Sequence, residues 1–390
     1  MMIEMPGFFE LYGAVKLYSL ARVLELDAAG ADGRGVYVLQ PGEAEEMLPR
    51  LAVVVPIKDD EIMSLAGVIS GVPHAARLVI VSASGREPVD RYRHEAELAR
   101  TVHERTGREV LVFHQRDPAW REALAGTPLE ALLGDDGLVR YGKGEGMLLG
   151  LLAAAWLGAE YVGFIDSDNY VPGSVHEYVM AYLTGFKMAS SRYSMVRIKW
   201  PYKGKLPGVG GDVYLRRRGR VSMHTNHVLN LALSVMRGVE TDIVQTANSG
   251  EHALTLELGL NMEWAGGFAV EPYQLVSLLR DCWLDARERC RFREGVEIAQ
   301  VETRNPHLHA ERGDEHLASM LATSLGTVYH SPLASARVVE EIRHLLEENG
   351  YRGEPPAPRT YPPPAAAGDP RRVFERFLAE SSEAVHLEQR

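Results

Sequence analysis

The chain has 390 residues, 46% hydrophobic and 24% charged, which is enough apolar material for one large α/β domain or for two domains. A formal charge of −11 leaves no broad basic field, so nucleic acid and anionic membranes are excluded as expected partners, while a local cationic pocket for an acidic small molecule stays possible. The two cysteines, Cys282 and Cys290, lack metal-type spacing and suggest a reducing compartment with buried or inert thiols. The opening MMIEMPGFFE has an acid where a secretory signal needs basic residues, and no long apolar run follows, so the expected location is cytoplasmic.

After a mixed leader, LAVVVPIKDD (51–60), RLVIVSAS (77–84), EVLVFHQ (109–115) and EYVGFID (160–166) read as strands separated by stretches long enough for helices. Near-continuous Val, Ile, Leu and Phe fit parallel strands covered on both faces, with helical crossovers between them. This is the pattern of a Rossmann-like nucleotide-binding core. Met147 to Gly158 is about half the roughly 20 residues that span a bilayer, and it reads as a buried helix with no membrane anchor in view. SRYSMVRIKW (191–200) and GDVYLRRRGRV (211–221) suit antiparallel extensions of the sheet. From Asn226 onward apolar positions fall at helical spacing, and SGEHALTLELGL (249–260) continues as helix. EIAQVETRNPHLH (297–309) is a strand entering a loop, and 314–349 holds two amphipathic helices. The Pro-rich stretch 353–370 reads as an extended linker, followed by a helix near 371–381 that packs back or joins a neighbour. There is no internal repeat. These boundaries divide the chain into a core at 1–225, a mainly helical region at 226–352 and a linker with a terminal helix at 353–390.

Chemistry concentrates where the strands end. EYVGFIDSDN places Asp166 and Asp168 after an apolar strand, at the carboxyl edge of a sheet, where open α/β folds bind ligands and hard cations find oxygen. RYGKGEGM (140–147) brings three alternating glycines, Arg140 and Lys143 to the start of an apolar helix. Backbone amides, the helix dipole and two cations would suit a phosphate there, and the competing reading is a turn that caps a core helix. The segment matches neither GxGxxG nor GxxxxGK[ST], which removes support for a dehydrogenase or a P-loop NTPase. PIKDD offers Lys58 and Asp59 to a base or ribose, or forms a solvated turn; Ser84 and the run His114-Gln115-Arg116-Asp117 end the next two strands. Late in the chain, His307 and His309 point to one side of an extended segment and either could bind a metal. In Asn248-Ser249-Gly250-Glu251, Glu251 either caps a helix or accepts hydrogen bonds from sugar hydroxyls.

In order, PIKDD, VSASGRE, HQRDP, YGKGEGM, EYVGFIDSDNYVPG, TNHVLN, SGEHALT, ETRNPHLH and YHSPLA resemble the mannosyl-3-phosphoglycerate synthase family, from the leader to about residue 350. The resemblance implies a GT-A-like mixed sheet flanked by helices, with a mainly helical C-terminal acceptor region. It also implies transfer of mannose from GDP-mannose to the 2-hydroxyl of 3-phosphoglycerate with retention, a step toward the compatible solute mannosylglycerate. Some relatives carry a fused phosphatase domain, for which this chain has no room. On this likeness Asp168, supported by Asp166, holds a divalent cation (Mg²⁺, or Mn²⁺ or Co²⁺), with His309 as a further ligand and His307 as the fallback. Pro56, Lys58, Asp59, Ser84, Gln115 and Lys143 would line the nucleotide site. Arg140 and Lys143 would offset phosphate charge, Glu251 and Asn248 would face the reacting sugar or glycerate, and Arg140 and Arg304 would meet the acidic acceptor. Asp168, Glu251 and Lys143 are the expected catalytic set, and a homodimer is left open. Two other readings compete: a sugar-1-phosphate nucleotidyltransferase, which would need a Gly-rich basic loop where PIKDD stands, and a noncatalytic sugar-nucleotide-binding protein.

Overall fold

The computed structural model describes residues 1–24, 35–169, 171–205, 214–216, 220–285, 290–309 and 314–389, with backbone alone at 203–205, 214–216, 220, 309, 314 and 315. Its frame is a ten-stranded mixed sheet built from β1 (Phe9–Tyr12), β2 (Val15–Arg22), β3 (Leu51–Ile57), β4 (Arg77–Ser82), β5 (Val110–His114), β6 (Tyr161–Phe164), β7 (Ser194–Lys199), β8 (His252–Thr255), β9 (Val296–Glu302) and β10 (Val385–Leu387). The strand order is β10-β5-β4-β3-β6-β8-β7-β9-β2-β1. β3 to β6 run parallel, as do β7, β9 and β2. β8 is antiparallel to both its neighbours, and β1 and β10 are antiparallel edges.

Alternation along the central strands divides the interior into two layers. Ala52, Val54, Val79, Val81, Leu111 and Phe113 face one core; Val53, Val55, Leu78, Ile80, Val110 and Val112 face the other. Helices α1 (Ile62–Gly71), α2 (Arg91–Thr106) and α4 (Pro172–Met188) cover the second layer, and α3 (Lys143–Trp156), with twelve buried residues, covers the first. With it pack α5 (Arg220–Arg237), α6 (Val270–Leu279), α7 (Asp314–Tyr329), α8 (Ala336–Glu348) and α9 (Pro370–Glu380). Among the described residues, no helix is long and apolar enough to cross a membrane.

Four expectations change. GDVYLRRRGRV does not extend the main sheet: Tyr214–Arg216 pairs antiparallel with Lys203–Lys205 in a separate three-stranded sheet. SGEHALTLELGL is not continuous helix: His252–Thr255 is a strand, and helix follows only at Leu256–Asn261. All four strand residues are buried between β6 and β7, so tertiary pairing outweighs the helical spacing of a short apolar run. Cys282 and Cys290, expected as separate thiols, form a disulfide with Cα atoms 4.6 Å apart. Cys282 is buried in the core and Phe292, two residues past Cys290, is anchored in the same core, which brings the sulfurs together. The Pro-rich stretch is packed rather than loose: Thr360–Tyr361 pairs with Trp264–Ala265, Phe377 of α9 stacks on Trp120 with centroids 3.9 Å apart, and β10 joins β5. The terminal helix thus packs back on its own chain.

Candidate active site

The parallel strands β3, β4, β5 and β6 deliver Lys58, Ser84, Gln115 and Asp166 to one sheet edge. Because β8 runs the opposite way, it contributes the residues before it, Asn248 to Glu251, to that same edge. β7 and β9 end there as well, leading to Trp200 and to the segment from Thr303 to His309.

The turn after β6 is clamped from two sides. Ser167 donates to Asp60 Oδ2 at 2.5 Å and its carbonyl accepts from Ser64 at 2.6 Å. Asn169 accepts from the Val171 amide at 3.0 Å and donates to Tyr178 at 3.1 Å. Asp168 lies between these anchors and is half-buried. Asp166 Oδ1 stands 2.5 Å from Lys143 Nζ, which also reaches Glu271 Oε1 at 2.7 Å. Burial pulls the Lys143 pKa down, but the charges of Asp166 and Glu271 outweigh it, so the net displacement is upward and the ammonium persists. Lys143, expected along the nucleotide, is therefore engaged by two carboxylates. Hard carboxylate oxygens on a fixed turn suit a divalent cation. Among the described residues no group of three or more metal-type side chains is assembled. His309 forms a short strand with His307 that runs parallel to Lys203–Lys205, and its side chain lies outside the described residues.

The glycine segment makes its close approaches to protein. A Cβ at Gly142 would overlap Glu145, one at Gly144 would overlap the Ala265 carbonyl, and one at Gly146 would come within 2.8 Å of Gln115 Oε1. Glu145 accepts from the Gly267 amide at 2.8 Å and from Tyr361 at 2.6 Å. Gln115, expected beside the nucleotide, is buried and donates to the carbonyls of Arg140 and Gly142 at 2.7 and 3.1 Å, fixing the loop that enters α3. The glycines thus seat the helix, which is the capping alternative.

At the ends of β3 and β4, Asp59 takes a left-handed backbone (φ 58°) and accepts from the Gly85 amide at 2.8 Å. Its own amide donates to Ser84 Oγ at 2.9 Å, and Ser84 donates to Glu95 at 2.6 Å. Burial pushes the Glu95 carboxyl pKa up. Asp59 and Ser84 therefore stitch the two strand ends together, while Pro56 is partly buried near the end of β3 and Lys58 just beyond it is exposed. Lys58 Nζ and the Arg116 guanidinium lie 4.6 and 4.4 Å from the Tyr141 ring centre, making a cationic corner around an exposed aromatic.

On the opposite side, Glu251 is fully buried and its Oε1 is 3.5 Å from His307 Nδ1; His307 packs on Trp200. Glu251 precedes a strand, so helix capping does not account for it. Glu177 of α4 holds the approach to His307 by accepting from the amides of Arg304 and Asn305 at 2.7 and 2.9 Å. Arg304 itself is exposed, and Asn248 donates to Ser324 of α7 at 2.8 Å.

Below the edge lies a polar array that the motifs did not reveal. Arg197, wholly buried on β7, donates to the carbonyls of Thr246, Ala247 and Glu271 at 3.0 Å each and to Gln274 Oε1 at 2.8 Å. Gln274 donates to His252 Nε2 at 2.9 Å, which leaves the His252 proton on Nδ1, facing the Ser249 carbonyl at 2.9 Å. An apolar helical face interrupted by Glu271 and Gln274 was the available signal. Burial, then the charges of Arg197 and Lys143, push the His252 pKa well below 6.5. The unfolded chain takes up this proton near pH 6.5 and the folded chain does not. Stability is thus complete above about pH 6.5 and falls, as pH drops toward the depressed folded value, by up to about 1.4 kcal/mol per pH unit. Urea midpoints between about pH 7.5 and 5.5 should decline more steeply for the parent protein than for His252→Gln, and equal slopes would remove this assignment.

A mixed α/β sheet with an acidic turn and converging polar strand ends has the architecture of a GT-A-type glycosyltransferase. The family model for mannosyl-3-phosphoglycerate synthase matches residues 5–377. Over 391 aligned positions the chain is 51% identical to the mannosyl-3-phosphoglycerate synthase of Aeropyrum pernix, covering 99% of this chain and 100% of that one. It is 41% identical to the enzyme of the same name from Pyrococcus furiosus, covering 91% and 92%. Glucosyl-3-phosphoglycerate synthase from Mycobacterium tuberculosis, solved with Mn²⁺, UDP-glucose and phosphoglyceric acid, superposes with a TM-score of 0.50 over 84% of this chain and 95% of that one. At 20% identity this is a likeness of fold. The chain belongs to the mannosyl-3-phosphoglycerate synthase family.

Proposed function

We propose that the protein transfers mannose from GDP-mannose to the 2-hydroxyl of 3-phosphoglycerate, giving mannosyl-3-phosphoglycerate with retained configuration. The observation that carries this reading is the 51% identity, across the whole chain, to a protein named for that synthesis. A cytoplasmic location goes with it, since both substrates are phosphorylated metabolites, and a homodimer is part of the same reading. Residues 1–225 serve the donor, 226–352 serve the acceptor, and 353–390 support the core.

Asp168, with Asp166 beside it, would hold a divalent cation, Mg²⁺, Mn²⁺ or Co²⁺, which when bound neutralises charge growing on the leaving diphosphate. Pro56, Lys58 and the neighbouring Arg116 border the nucleotide, and Asp59, Ser84 and Gln115 keep the strand ends that receive it in place. Asn248 and Glu251 orient the sugar and glycerate hydroxyls, while Arg140 and Arg304 attract the acceptor's anionic groups. The acceptor attacks the face that GDP leaves, and the departing phosphate oxygen takes the hydroxyl proton. A mannosyl adduct trapped on Glu251 or Asp166 would replace this route by double displacement.

Incubating the protein with GDP-mannose, 3-phosphoglycerate and a divalent metal should release GDP and form a phosphorylated mannosyl product of the expected mass. Pyrophosphate-dependent turnover would instead favour nucleotidyl transfer, and binding of GDP-mannose without turnover on any acceptor would favour a noncatalytic role.

A further inference from the structure

Lys143 is the first residue of α3, and its ammonium joins Asp166 of the β6 turn to Glu271 in the first turn of α6. Gly250 closes over this pair: a Cβ there would stand 2.5 Å from Asp166 Oδ2 and 3.0 Å from Lys143 Nζ. Glu271 is held from behind, because Arg197 donates to its carbonyl at 3.0 Å. One turn along α6, Gln274 is tied through His252 to the Ser249 carbonyl. The start of α6, the segment before β8 and the acidic turn therefore share one scaffold.

Within that scaffold the Lys143 ammonium is shared between two carboxylates, and Asp168 adds another acid two residues from Asp166. We propose that Glu271 is a positioning residue which, through Lys143, sets the charge and orientation of Asp166 and so tunes the affinity of the Asp166–Asp168 turn for a divalent cation. This rests on the reading of that turn as the cation site. Lys143 then acts as the counter-charge of Asp166 and not as a direct ligand of the donor phosphates.

Charge arithmetic gives opposite signs for the two partners. Lys143→Met removes the ammonium that Asp166 and Glu271 share, making the net charge beside the turn one unit more negative, and should tighten Mn²⁺ binding. Glu271→Gln removes a negative charge at nearly constant shape and should weaken it. A unit charge several ångströms away in a partly buried setting is worth about five- to tenfold in affinity.

The test is a titration of the protein with Mn²⁺, followed by the electron paramagnetic resonance signal of the aquo ion, without substrates and then with GDP, alongside melting curves. The expected result is about five- to tenfold tighter binding for Lys143→Met, a similar weakening for Glu271→Gln, near-parent affinity for the double variant, and near-parent affinity for Lys143→Arg. If Lys143→Met does not fold, Glu271→Gln alone decides. Parent-like Mn²⁺ affinity in folded Glu271→Gln, with binding intact in the parent protein, overturns this inference and leaves the cation site standing. So does a Lys143→Met variant with parent-like Mn²⁺ affinity and weakened GDP binding. A parent protein that takes up no Mn²⁺, even with GDP, overturns the cation site and this inference with it.

Discussion

Asp168→Ala should cut metal-dependent turnover by about a hundred- to a thousand-fold or more, the usual consequence of removing a preorganised electrostatic stabiliser of a leaving group. The loss should fall on chemistry and not on folding. The turn that carries Asp168 is anchored by Ser167 through Asp60 and Ser64 and by Asn169 through Val171 and Tyr178. These partners survive the substitution, so circular-dichroism melting should stay close to that of the parent protein. Steady-state rates at several metal concentrations provide the check: near-normal turnover with an unshifted metal dependence would mean that Asp168 does not carry the cation.

Arg197→Met carries the largest stability penalty, about 3–5 kcal/mol, as expected when one member of a buried charged network is removed. The guanidinium is fully buried, and burial pushes its pKa down only to about 10, so it enters the fold charged at neutral pH. It satisfies three backbone carbonyls and the Gln274 amide oxygen. Methionine fills part of the volume and donates nothing, leaving those oxygens without their bonds in a place water does not reach. A urea transition with an unchanged slope and a lowered midpoint would measure the loss. A penalty below about 1 kcal/mol would mean that the array contributes little.

Sequence reading located the strand ends because continuous apolar runs followed by polar residues leave few alternatives: LAVVVPIKDD and EYVGFIDSDN are seen as β3 and β6 with their acids just beyond. It missed β8 because HALT is too short to carry its own period, and only the gap between β6 and β7 makes it a strand. It could see that glycines 142, 144 and 146 permit close approach, but not that the approaching atoms belong to Glu145, Ala265 and Gln115. Glu271, Gln274 and Arg197 sit inside apolar segments with no motif, so their partnership exists only once α6 lies across the sheet. His307 could be read as a ligand candidate from its neighbour His309, yet its position against Trp200 and Glu251 depends on how Glu177 holds the preceding loop.

β2 finds its parallel partner in β9, Val15 beside Val296, and β5 gains β10, Val112 beside Val385. The edge hairpin β1–β2 and the edge strand β10 are thus each joined to the sheet by a pairing between segments hundreds of residues apart. A nascent chain leaving the ribosome must therefore carry an unfinished platform until β9 emerges to meet β2 and β10 to meet β5, and closure of the two flanks becomes a late, slow event of the kind that distant pairings impose.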